Sequence, residues 1–211
     1  SKKRKVALSA AIENGVDVAI FDDGLQDRSI NYNLKFVCFN DAKGIGNGFL
    51  IPAGPLREKI NSISKYDAII INGTKGDNND LKKKLSKFDK NIKIFETFYN
   101  PINIQEFNSE DKYLIFSGIG NPDTFKEILL QNNLNIIKDM RFPDHYQYND
   151  NDINKIKLYA NKSGSKILTT EKDFIKLSKE MKKEINYLSI DLSIKNENEL
   201  IDFIKSKIWN I

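Results

Sequence analysis

Short apolar runs alternate along the 211 residues with stretches in which apolar positions recur every three or four residues. "VDVAIF" (16–21), "LKFVCFN" (34–40) and "YDAIIING" (66–73) have strand length, and each is bounded by Gly, Asn or Asp. Near-continuous runs of this kind suit strands buried on both faces, as in a parallel sheet covered by helices. Residues 4–14 read as a helix stopped by Asn14-Gly15. A second helix is expected over about 78–88, followed by the extended stretch "IKIFETFYNPINIQEF".

Near residue 108 the alternation restarts. "KYLIFSGIGNPDTFKEILLQNN" predicts strand, loop and helix, with Asn121 as N-cap and Pro122 at the first helical position. Then come a strand in "NIIKDMRF", a helix in "NDNDINKIKLYANKSG", a strand in "KILTT" and a helix in "EKDFIKLSKEM". "INYLSIDLSI" reads as one last strand and "ENELIDFIKSKIWN" as a closing amphipathic helix. Both halves are therefore expected to be α/β, with a boundary near residues 96–110.

Composition narrows this only a little. With 40% hydrophobic and 29% charged residues the chain is globular, neither fibrous nor disordered. A net charge of +4, with lysines spread along the chain, permits contact with anionic lipid or phosphate without demanding nucleic acid. One cysteine, Cys38, excludes an internal disulfide and suits a reducing compartment; with a single histidine, a His/Cys metal centre is not expected either. No run approaches the roughly 20 apolar residues of a membrane span, and the first residues show no signal-peptide pattern. "KKRK" (2–5) continues directly into "VALSAAIENG" and reads as a solvated helix end rather than a nuclear import signal. The chain begins with Ser1, and its methionines are Met140 and Met181, so a fragment lacking its N-terminal portion is expected.

Candidate chemistry starts at Asp22 and Asp23, two acids and a glycine that close an apolar run. Ionised carboxylates are costly to desolvate and usually face a cation or a hydrogen-bond network. At the carboxyl end of a strand they could hold Mg²⁺ beside a nucleotide; equally, Asp-Gly is a common solvated turn. In "LIPAGPLREK" two prolines and a glycine stiffen the approach to Arg57 and Glu58, which could grip phosphate or simply face water. "RFPDHYQY" carries the single histidine, His145, beside Asp144, in a setting open to proton transfer or to packing. "SGIGNPDTF" matches neither G-x-x-x-x-G-K-[ST] nor G-x-G-x-x-G and reads as a tight strand-to-helix turn. In "LTTEKDFIKL" a threonine caps a helix, while Lys172 and Asp173 could face a cleft.

Taken in order, "DDGLQ", "GNGFLIPAGPLRE", "FSGIGNPDTF", "FPDHYQY" and "LTTEKD" resemble the tetraacyldisaccharide 4'-kinases of the lipid A pathway over essentially the whole chain. The resemblance implies two α/β/α domains of Rossmann-like, P-loop NTPase type, the first incomplete here, joined by an extended two-stranded linker. Residues 1–95 would complete the kinase core, 96–107 would be the linker and 108–211 the second domain. It implies ATP and Mg²⁺ as cofactors and transfer of the γ-phosphate to the 4'-hydroxyl of tetraacyldisaccharide 1-phosphate, giving lipid IV-A. Such enzymes work peripherally at the cytoplasmic face of the bacterial inner membrane, without nucleic acid or an obligate protein partner. By position, Asp22 and Asp23 would be the Walker B-type acids that manage Mg²⁺, Gln26 would face the cleft and contact substrate, Arg57 and Glu58 would form the catalytic Arg-Glu pair, with Arg57 also on substrate, and His145 would orient or deprotonate the sugar hydroxyl. Family members usually carry histidine after "DDGLQ", where this chain has Asp27. The Walker A loop and the aspartate partner of His145 normally lie upstream of the acid pair, so this piece alone is expected to be inactive. Two other readings remain open: a different P-loop-like small-molecule kinase, and a non-enzymatic α/β binding module.

Overall fold

The computed structural model describes residues 4–27, 29–73 and 78–209, so Lys2 and Lys3 of the "KKRK" run lie outside the described residues. Two four-stranded sheets organise the chain. The first contains β1 (Phe36–Asn40), β2 (Ala68–Gly73), β3 (Lys93–Pro101) and, from far along the chain, β8 (Ile190–Ile194), in that spatial order. The second has the order β5-β4-β6-β7, built from β4 (Lys112–Ser117), β5 (Asn135–Arg141), β6 (Lys166–Thr170) and β7 (Ile185–Leu188). All pairings are parallel except β3 with β8. No described helix is long and apolar enough to cross a membrane.

Central strands are buried because helices cover both faces. In the second sheet β4 alternates its payload: Tyr113 and Ile115 pack with Phe125, Ile128 and Leu129 of helix α3 (Pro122–Gln131), while Leu114 and Phe116 pack with Ile153, Ile156 and Ala160 of helix α4 (Asp150–Ser163). Local signals agree with this packing. Asn149 and Asp152 form a reciprocal capping box at the start of α4, and Gly164 stops it at φ 61°, a left-handed conformation that glycine adopts without a Cβ penalty. At α3 Pro122 occupies the first turn as expected, but the Asn121 amide donates to Thr124 Oγ1 (2.6 Å) instead of capping the backbone.

Four expectations change. "VDVAIF" forms no strand: it is irregular, with a bend at Asp17, and pairs with no described strand; Ile20 is 93% exposed, and residues 18–21 line one cleft together with β1. Helix α5 covers only Glu171–Ile175, because the chain tightens into i→i−3 bonds (Lys176 N to Asp173 O, Leu177 N to Phe174 O) and turns Leu177 into the core. "INYLSIDLSI" splits at Ser189 into β7 and β8, which serve different sheets. Asn103 clamps the crossing point: its Oδ1 accepts from Ser189 N (2.9 Å) and its Nδ2 donates to Tyr187 O (3.0 Å). Finally, β8 pairs antiparallel with the end of β3 (Thr97 with Ile194 through Pro101 with Ile190), and helix α6 (Glu197–Ile208) packs Leu200 and Phe203 on Ala68 and Phe95. By packing, therefore, residues 190–208 join the first sheet rather than a unit spanning 108–211, since the apolar face of α6 meets that core.

Glu96 ties this return together. Buried on β3, it accepts from Asn78 Nδ2 (3.2 Å) and pairs with Lys82 of helix α2 (Asn79–Leu85) and with Lys195 (3.4 Å). Burial alone would raise its pKa; Lys82, Asn78 and Lys195 outweigh that and hold it below the usual value of 4.5. A depressed folded pKa gives stability that is complete above the unfolded pKa and is lost as pH falls through the folded one. Glu96→Gln should therefore cost about 1–3 kcal/mol at pH 7. The gap to the parent should close as pH falls below about 4.5, read by thermal melts across pH 3–7.

Candidate active site

Asp22 and Asp23 follow the unpaired segment 16–21, and the turn they begin is closed by contact. Gly24 is buried; a Cβ there would lie 3.0 Å from Phe21 Cβ and 3.1 Å from the Tyr32 hydroxyl, which itself donates to Gly24 O (2.8 Å). A side chain there would push Phe21 or the Tyr32 hydroxyl back by a few tenths of an ångström. Asp23 sits at φ 52°, an uncommon conformation for a residue with a side chain. Arg4, the first residue of helix α1 (Arg4–Glu13), donates to Asp23 O (2.9 Å) and lies 3.9 Å from Asp27. Asp27 accepts from both the hydroxyl (2.6 Å) and the N–H (3.0 Å) of Ser29, which hold its carboxyl below its ordinary pKa.

The "PAGPLRE" loop brings its arginine to this turn. Arg57 Nη1 donates to Asp23 Oδ1. That bond, followed by the guanidinium charge, holds the Asp23 carboxyl low, and the same bond raises Arg57. The neighbouring Glu58 turns the other way and accepts from the Tyr66 hydroxyl (3.0 Å). Burial first, and then Glu58, push the Tyr66 phenol up to about 12. Asp22, Asp23, Gln26, Arg57 and Glu58 all line one cleft of about 870 Å³, together with residues of β1. A guanidinium held at an open cleft by one exposed carboxylate can turn to a phosphoryl oxygen and neutralise its charge.

His145 stands elsewhere, at the carboxyl end of the second sheet, and does not line that cleft. Its ring is exposed and its backbone sits at φ 61°. The His145 N–H donates to Gly118 O (3.2 Å) and Asp144 Oδ1 (2.9 Å), and its Nε2 lies 3.8 Å from Asp144 Oδ2. Lys172 reaches the same Asp144 at 3.6 Å. Partial desolvation raises Asp144, but His145 and Lys172 outweigh it and keep the carboxyl low. Asp173, which the sequence leaves facing a cleft, is instead fully buried beneath the "SGIG" turn. Its spacing from Thr170 is the one local hint, because Thr170 Oγ1 caps the Asp173 N–H (3.1 Å). The described chain thus gathers the acid pair, Gln26 and the Arg-Glu pair in one place and holds His145 on a separate edge.

Known proteins are similar to this chain. A family model described as Tetraacyldisaccharide-1-P 4'-kinase (LpxK) matches residues 1–209. A Tetraacyldisaccharide 4'-kinase of Pelagibacter ubique is 46% identical over 198 residues, covering 94% of this chain and 63% of the relative. The protein of that name from Rickettsia canadensis is 34% identical, covering all of this chain and 64% of its own length. Among solved structures, the "apo" form of LpxK from Aquifex aeolicus in complex with ATP superposes with a TM-score of 0.58 at 24% identity, over 88% of this chain and 56% of that one. The chain therefore spans 63–64% of the length of these two relatives and 56% of the solved chain, with which it shares its α/β kinase fold. It belongs to the tetraacyldisaccharide-1-P 4'-kinase family.

Proposed function

We propose that this chain supplies the acid pair, Arg57 and His145 to an ATP-dependent kinase that phosphorylates the 4'-hydroxyl of tetraacyldisaccharide 1-phosphate, giving lipid IV-A. Supporting this is the convergence of Asp22, Asp23, Gln26, Arg57 and Glu58 on one cleft in a member of that kinase family. Asp22 and Asp23 fit Mg²⁺, which takes one or two carboxylates and completes its octahedron with water and phosphate oxygens. No larger His, Cys, Asp or Glu cluster competes among the described residues. When bound, the ion would neutralise charge across the β- and γ-phosphates. Arg57, released from or shared with Asp23, would meet the transferred group from the other side. His145, carried on the second unit, would approach the sugar hydroxyl as its proton acceptor or orienting partner. Because acyl chains hold the substrate in lipid, the site of action in this reading is the cytoplasmic face of the inner membrane, reached peripherally.

The test is ATP-dependent phosphate transfer to the disaccharide lipid in detergent micelles by the complete gene product. Asp22→Asn should lower turnover about 10²-fold and shift its Mg²⁺ dependence. The 211-residue chain alone should remain at background, since it contains no G-x-x-x-x-G-K-[ST] to cradle phosphates. Phosphorylation of a water-soluble alcohol in place of the lipid would overturn the assignment.

A further inference from the structure

Residues 46–56 form a closed loop whose largest side chains point away from the protein. Asn47 pins it from inside, with Nδ2 donating to Ala53 O (2.8 Å) and Oδ1 accepting from Phe49 N (3.1 Å). Gly54 N reaches Leu50 O (3.0 Å), Ile51 N reaches Leu56 O (2.9 Å) and Leu56 N reaches Phe49 O (3.2 Å). A Cβ on Gly54 would fall 2.1 Å from Asn47 Oδ1 and 2.4 Å from Phe49 O, so the closure leaves no space for a side chain. Yet Phe49 is 63% and Ile51 62% exposed, with Leu50 between them also exposed. A contiguous apolar tip that cannot fold back on itself marks an interaction surface.

Its chemistry selects the partner. Between Asp41 and Glu58 the loop carries no carboxylate; Glu58 turns back to the Tyr66 hydroxyl and Arg57 is paired with Asp23, so the free charges at the loop's base are the exposed Lys43 and Lys59. An apolar tip with a basic base is complementary to a bilayer carrying anionic headgroups, where rings and aliphatic side chains enter the interface and lysines stay at the phosphate level. We propose that Phe49, Leu50 and Ile51 form a wedge that docks this protein on an anionic lipid surface. The inference rests on the kinase reading for its purpose: the loop that inserts the wedge also delivers Arg57 to Asp23, so docking would set the transfer site close to the headgroup of a lipid substrate.

Co-sedimentation of the complete gene product with phosphatidylethanolamine–phosphatidylglycerol vesicles tests it. The double variant Phe49→Ser/Ile51→Ser should partition about tenfold more weakly, with an unchanged melting temperature. Phe49→Trp should give blue-shifted emission on adding those vesicles and much less on adding phosphatidylcholine alone. If the double variant melts several degrees lower and partitions like its parent, the tip is covered by protein, whether the rest of the chain or a second copy, and the wedge is overturned. An unmoved emission of Phe49→Trp overturns it as well, even if the double variant fails to fold. Failure of the kinase reading shows separately, as absence of phosphate transfer by the unsubstituted protein in detergent micelles.

Discussion

Arg57→Ala in the complete gene product is expected to lower kcat by about 10²–10³-fold while changing the KM for ATP much less. The pair it makes with Asp23 is solvent-exposed on both sides, 56% and 59%, so as a stabilising contact it contributes little. What the fold invests in Arg57 is position. The loop before it is closed by Asn47 and by two backbone bonds between residues 49–51 and Leu56, immediately ahead of Arg57 in the chain. Such pre-positioning matters for phosphoryl transfer, where most of the barrier reduction comes from placing charge opposite charge. The variant's melting temperature should therefore stay within about 2 °C of the parent while turnover collapses. Arg57→Lys should recover only part of the rate, because a lysine replaces the planar fork with a point charge. A raised KM for ATP with kcat intact would instead place Arg57 in nucleotide binding.

How far the sequence carries such conclusions differs between fold and site. Strands at 36–40, 68–73 and 112–117 and the helices α3 and α4 are legible because each is specified by its own residues, through apolar runs, a first-turn proline at α3, and a capping box and terminal glycine at α4. What a local pattern does not encode is the partner. The run 185–194 keeps apolar residues at strand spacing on both sides of Ser189, and nothing within it says that Ser189 is where the chain leaves one sheet for the other; the clamp is Asn103, more than eighty residues earlier. The amphipathic face of α6 would suit either core, and only the β3–β8 pairing decides which one it covers. "VDVAIF" has the composition of a buried strand, yet no described strand pairs with it. The site shows the same division. Asp22, Asp23, Gln26, Arg57 and Glu58 stand out by motif, while the Asp23–Arg57 contact joins residues 34 positions apart and emerges only from the fold. Asp173 sits in an ordinary "TTEKD" cap, and its burial follows from the turn that folds over it.

That burial supports the second large effect: Asp173→Ala should cost about 3–5 kcal/mol, the range for breaking a buried ion pair, and lower the melting temperature by about 10 °C. The Asp173 carboxylate is wholly inaccessible and fully used. Its Oδ2 accepts from Gly118 N (2.9 Å) and Thr170 Oγ1 (2.8 Å), and its Oδ1 from Lys176 Nζ (2.8 Å). Truncation would strand an N–H, a hydroxyl and an ammonium whose side chain is only 16% exposed. Asp173→Ala combined with Lys176→Met should be less damaging than the sum of the two single changes, because no unpaired charge then remains buried. Activity should fall as well, for a reason that runs through the backbone. Asp173 fixes Gly118, and Gly118 O receives the His145 N–H, so loosening the "SGIG" turn frees the segment that aims the histidine. Thermal melts of the two single variants and the double variant measure the coupling directly; additive losses would show that Asp173 and Lys176 do not act as a pair.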